Sequence, residues 1–143
     1  MKKVNKLFLV LFLGVLFSCT TDNTDENSIE NSIVGTWKIV SLTSNGTDEL
    51  QDELDFATIC YYTEVYTETI ITDINFSGSD CKTETVDETL PYSINGTNLT
   101  YTTGDSVVVS LEILELSSTT LKLQDSYQED GESYIDIYTY TRQ

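Results

Sequence analysis

Leu90-Pro91-Tyr92-Ser93-Ile94-Asn95-Gly96-Thr97-Asn98-Leu99-Thr100-Tyr101-Thr102 reads as a β-hairpin, and that reading decides the fold. Asn and Gly both tolerate positive φ, so Asn95-Gly96 is placed at the turn that joins Leu90–Ile94 to Asn98–Thr102. Downstream, Gly104-Asp105 turns the chain again and Ser106–Leu116 follows as a strand. Leu121 and Leu123 then alternate up to Glu129-Asp130-Gly131, a further turn. The segment Tyr134 to Thr141 alternates throughout, with Tyr134, Asp136, Tyr138 and Tyr140 on one face and Ile135 and Ile137 on the other. The isoleucine face is expected inside and the tyrosine face outside.

Upstream of the hairpin, Val, Ile, Thr and Tyr continue to dominate, the residue types that suit a pleated, half-buried surface. Ile33–Leu42 places Trp37 and Ile39 on one face and Lys38 and Val40 on the other. Thr47–Phe56 is the one helical candidate: Thr47 is positioned to cap it, acids crowd its first turn, and Leu50 and Leu54 stand four apart. Ile59–Phe76 is too long for one ordinary strand, and the expected bend lies at Thr67-Glu68-Thr69. Ser77-Gly78-Ser79-Asp80 is a turn. Short strands joined by tight turns, with almost no helix, predict an all-β antiparallel up-and-down meander of about eight strands. Such a sheet removes its edges most simply by closing into a barrel.

The amino terminus carries an address. Lys2, Lys3 and Lys6 precede an apolar run from Leu7 to Phe17, the basic and hydrophobic regions of an export signal. The run falls short of the about 20 apolar residues that a membrane span requires. It ends at Leu16-Phe17-Ser18-Cys19, which resembles the lipobox of bacterial lipoproteins. The resemblance implies cleavage before Cys19, diacylglycerol on its sulfur and acylation of the new amino terminus. The expected organisation is a signal peptide over 1–18, an acylated cysteine and acidic tether over 19–32, and one domain over 33–143. The acidic tract after Cys19 is similar to the surface-export signals of Bacteroidota lipoproteins.

Composition excludes several functions. Without residues 1–18, Lys38, Lys82, Lys122 and Arg142 stand against 24 acidic side chains. Such a surface repels phosphate backbones and anionic headgroups, so no nucleic-acid partner is expected and acyl chains must make the membrane contact. The sequence has no histidine. The commonest general base and metal ligand is therefore missing, along with every Ser-His or Cys-His pair, and no enzyme activity is expected. The acidic clusters at Asp22–Glu26 and Asp125–Glu132 lack the spacing of a calcium loop, so neither a metal nor a cofactor is assigned. Asp105-Ser106-Val107 resembles the Bacteroidota O-glycosylation sequon.

Gly35-Thr36-Trp37 at the first strand, Asn95-Gly96-Thr97-Asn98-Leu99 in a late hairpin and the closing Tyr138-Thr139-Tyr140-Thr141-Arg142 together resemble the lipocalin-like domain lipoproteins of Bacteroidota. The resemblance covers about Ile33 to Arg142. It implies a lipocalin-like barrel in which Trp37 closes the base beneath Arg142, a cation–π pair. It also implies a location at the outer membrane and capture of a small hydrophobic or amphipathic ligand. The aromatic residues Trp37, Tyr61, Tyr66, Phe76, Tyr92 and Tyr101 are the candidate lining. The chain departs from the family where Thr67-Glu68-Thr69 replaces an Asp-Gly turn. The other reading is an envelope protein-interaction module with a filled barrel.

Cys60 and Cys81 form an even pair that an oxidising compartment would bridge. If Tyr61–Tyr66 and Thr69–Phe76 form a hairpin, the cysteines flank its open end, and the closed loop is worth roughly 3 kcal/mol. If Ile59–Phe76 is one extended strand, they lie too far apart to bond.

Overall fold

A computed structural model describes residues 32–143. The signal peptide, Cys19 and the acidic tether through residue 31 lie outside the described residues. The elements that lie wholly within the described residues follow in order: β1 Gly35–Ser44, β2 Thr47–Asp48, α1 Leu50–Ala57, β3 Tyr61–Tyr66, β4 Ile70–Ser77, β5 Thr83–Asn95, β6 Asn98–Thr102, β7 Val108–Leu116, β8 Thr120–Glu129 and β9 Glu132–Arg142. Every neighbouring pair is antiparallel, and β1 pairs with both β3 and β9, which closes an eight-stranded barrel. The two-residue β2 only extends the end of β1. The expected all-β meander with one short helix is the observed fold.

Turn chemistry explains how the strands connect, with some changes from expectation. Asn95 pairs with Asn98 as a strand residue, so Gly96 and Thr97 form the turn. Positive φ falls on Gly96 (62°) and not on Asn95, the pattern of a type II′ turn. Asn45-Gly46 and Asp130-Gly131 are the pairs with positive φ at both positions, which marks type I′ turns. Thr67 makes the β3–β4 bend without a glycine, because its hydroxyl accepts from the Ile70 amide at 3.1 Å. The strand expected from Ser106 begins at Val108, since Ser106 (φ 65°) belongs to a turn in which its amide donates to Thr103. The strand expected at Leu90–Ile94 begins at Thr83 instead.

Thr47 does not cap α1. It lies in β2, and Asp48 Oδ1 takes the Leu50 amide at 3.2 Å. Leu54 is buried beneath the helix, while Phe56 is 89 % exposed.

The face assignment of β9 is reversed. Tyr140 is buried and packs in register against Ile39 and Leu121, whereas Ile135 is 45 % exposed. A tyrosine face can be internal here because the barrel supplies acceptors for its hydroxyl groups. Around Trp37 the interior is packed solid by Ile33, Ile39, Tyr66, Ile71, Leu99, Leu121 and Leu123. This is the closed base, and α1 stands at the opposite end.

Candidate functional site

Arg142 seals the base. Its guanidinium carbon lies 4.2 Å from the Trp37 ring centroid, and its Nη1 donates to the Val34 carbonyl at 2.7 Å. Its Nη2 donates to the Ser32 carbonyl, and the Trp37 indole donates to the Ile33 carbonyl at 2.7 Å. Gly35 has φ +147°, and a β-carbon there would collide with the guanidinium. The Gly-x-Trp spacing thus has a steric reason: the glycine leaves the space in which Arg142 lies over Trp37.

The period-2 alternation of β3 sends Tyr62, Glu64 and Tyr66 into the barrel. Their partners in register on β4 are Asn75, Asp73 and Ile71. Asp73 is in turn paired with Glu88 on β5, so three carboxylates stand directly across three adjacent strands. A bulge between Asp73 and Ile74 leaves Asp87 outside the pairing. Between these strands and α1 lies a cavity of about 220 Å³, lined by Glu53, Ala57, Ile59, Tyr62, Glu64, Asp73, Asn75 and Asp87.

Glu64 is the centre of the polar interior. Tyr66 donates to its Oε2 at 2.6 Å and Tyr140 to its Oε1, so one carboxylate gathers two buried hydroxyls. The surface it retains opens onto the cavity. Burial raises its pKa, and the two tyrosine hydrogen bonds oppose that rise. Burial, then repulsion from Glu64, Asp87 and Glu88, pushes the Asp73 carboxyl up to about 7. Asp73 Oδ1 is buried without a hydrogen-bond partner. Tyr62, Tyr101 and Tyr138 are all pushed above the usual phenol range, by burial first and neighbouring carboxylates second. They remain neutral hydroxyl donors.

None of the four cations among the described residues serves this interior. Lys38 Nζ sits 3.8 Å over the Tyr61 ring on the outer face, and Arg142 lies at the base. Lys82 is exposed and pairs with Asp80 at 3.6 Å. Lys122 alternates with the buried Leu121 and Leu123 and so points outward. Among the described residues, no group of three acidic, Cys or His side chains is arranged to hold a metal ion.

The candidate aromatics separate. Tyr61 and Phe76 stack on each other at 4.6 Å, on the opposite face of β3 and β4 from Tyr62 and Asp73, so they are not in the cavity. Trp37 and Tyr66 are buried in the packed base. Tyr92 meets Tyr66 edge-on at 5.3 Å and donates its hydroxyl to the Thr67 carbonyl at 2.7 Å. Tyr101 faces inward beside Tyr92 across β5 and β6. Sequence reasoning missed Tyr62, Glu64, Asp73, Asp87 and the helix residue Glu53. The signal was available in the alternation of Tyr61-Tyr62-Thr63-Glu64-Val65-Tyr66, which puts Tyr62 and Glu64 on the same face as the candidate Tyr66, and Tyr61 on the other. Cys60 and Cys81 are bonded, with Cα atoms 5.8 Å apart, across the open end of the β3–β4 hairpin.

The described barrel is similar to solved lipocalin structures. Apocrustacyanin C2 shares 16% identity, with 83% of this chain and 69% of that chain covered and a TM-score of 0.50. A bovine lipocalin allergen, Bos d 2, shares 11% identity over 80% of this chain and 75% of that one, at a TM-score of 0.49. A bovine odorant-binding protein, solved with a selenium-containing odorant, shares 13% identity over 80% and 72%, also at 0.49. No curated protein sequence matches the chain. The profile of the lipocalin-like domain family matches residues 33–123. The chain belongs to the lipocalin-like domain family.

Proposed function

We propose that this is a lipid-anchored, non-catalytic binding protein of the bacterial outer membrane. Its barrel, over 33–143, takes up a small amphipathic molecule. The observation that carries the ligand reading is the cavity of about 220 Å³ between α1 and the β3–β5 wall. It is smaller than the roughly 300–1,000 Å³ typical of drug-sized ligands, so the occupant is small. Its lining combines the apolar Ala57 and Ile59 with Tyr62 and four carboxylates, which suits an amphipathic molecule better than a purely apolar one. The absence of histidine throughout the sequence supports a binding role over a catalytic one. Acylation at Cys19, after removal of 1–18, and the acidic tether to residue 32 hold the domain at the membrane in this reading.

Native mass spectrometry of the full chain, purified from the envelope that makes it, tests the ligand reading. The expected result is a mass excess that leaves on denaturation. Identical native and denatured masses would instead favour a protein-interaction module.

A further inference from the structure

The barrel interior presents an unbalanced charge. Glu64, Asp73 and Glu88 face one another across three strands, an arrangement that destabilises a sheet unless something neutralises it. Asp125 and Asp136 are likewise directly paired on β8 and β9, and Asp136 Oδ1 is a second buried oxygen without a partner. The Gly104 amide serves Glu88 at 2.8 Å, and tyrosines serve Glu64. Asp73 has no such help for Oδ1, and every basic side chain among the described residues lies elsewhere.

We infer that the cavity beneath α1 is a site for an organic ammonium ion with a small apolar or aromatic body. Its cationic head would sit between Glu64, Asp73 and Asp87, and its body against Tyr62, Ile59 and Ala57. This rests on the reading of the barrel as a ligand-binding protein.

Three observations converge on that chemistry. Both Glu64 oxygens accept hydrogen bonds, from donors that bring no positive charge, so no cation among the described residues neutralises this carboxyl group. An N–H donor is what the orphaned Asp73 Oδ1 lacks. The Tyr62 ring lines the same space, and an ammonium group is attracted to an aromatic face. A metal ion fits less well, because no three acidic side chains among the described residues are grouped so that they could hold one. Glu53 on α1 adds a further carboxylate from the helix side. An anionic ligand would meet only repulsion.

Calorimetric titration of the full chain with three molecules sharing one body tests this: phenethylamine, neutral 2-phenylethanol and anionic phenylacetate. Phenethylamine is expected to bind about tenfold tighter than the alcohol or better. Glu64→Gln and, separately, Asp73→Asn should remove most of the preference of amine over alcohol. Using both variants guards against a folding defect in the more buried one. Equal binding of amine and alcohol would overturn the inference and leave the ligand reading intact. Tighter binding of phenylacetate would overturn it, as would calcium displacing the amine, and so would failure of phenethylamine to bind. The native mass measurement then judges the ligand reading separately.

Discussion

Tyr66 donates its hydroxyl to Glu64 at 2.6 Å, although the two residues are only two apart on one strand. Neighbours at that spacing share a face, so the alternation of β3 alone brings a donor to a buried carboxylate. Tyr140, from the far side of the barrel seam, completes the pair. Removing one donor leaves a buried carboxylate short of a partner, so Tyr140→Phe should cost about 1–3 kcal/mol. The same change in a Glu64→Gln background should cost clearly less. Urea unfolding of the four proteins in that double-mutant cycle measures the coupling.

Asp73 should make stability depend on pH in the unusual direction for a carboxyl group. Its folded pKa of about 7 lies above the about 3.9 of an unfolded aspartate. The folded state therefore binds the proton more tightly, and its contribution is fully present below about pH 4 and lost as the pH rises through about 7. The groups that face it are Glu64 and Tyr66 on β3, Asp87 and Glu88 on β5, and Tyr101 on β6. Asp73→Asn should flatten that decline and raise stability above pH 7 by about 1–3 kcal/mol. Denaturant midpoints collected across the pH range check both statements.

Gly35 should tolerate no side chain. Gly35→Ala combines a disfavoured φ of +147° with a collision against Arg142, and a cost of about 2–4 kcal/mol is expected. Arg142→Met should be destabilising by a smaller margin, since it gives up the Trp37 contact and the Val34 and Ser32 carbonyls but relieves nothing. Thermal melts of both variants decide the order.

The Cys60–Cys81 bridge spans a sequence separation of 21. Its loss in the double serine variant should cost roughly 3 kcal/mol. In the native unreduced protein neither of these two thiols should react with an alkylating agent. Mass spectrometry with and without reductant gives the answer.

Cys19→Ser should release a folded domain from the membrane fraction, because the acidic chain has no electrostatic route to an anionic bilayer. Fractionation followed by immunoblotting reads this directly.

How much of this was legible in the sequence depends on the length scale of the signal. Strand number and most turns follow from local chemistry, and Asp130-Gly131 marks the last hairpin as plainly in the structure as in the sequence. Asn45-Gly46 suits a type I′ turn, which competes with a helix start at Thr47, and in the structure the turn wins. The inner face of β9 does not follow from apolarity alone, since Tyr140 is buried and Ile135 exposed. Ile135 and Ile137 look like core residues until Glu64 is brought across the barrel to satisfy Tyr140. That contact joins residues 76 positions apart, and no local pattern reports it. The carboxylate row has the same origin: Glu64, Asp73 and Glu88 are ordinary surface residues until register aligns them. Trp37 over Arg142 was legible through family resemblance, and the structure adds the reason for the glycine before it.

A crystal structure of the protein purified from its own envelope tests the central claim most directly. The account expects density for a small molecule beneath α1, with a polar head within hydrogen-bond distance of Glu64 and Asp73 and its body against Tyr62. Side chains filling that space, or a ligand seated on the outer wall beside Tyr61 and Phe76, would contradict it.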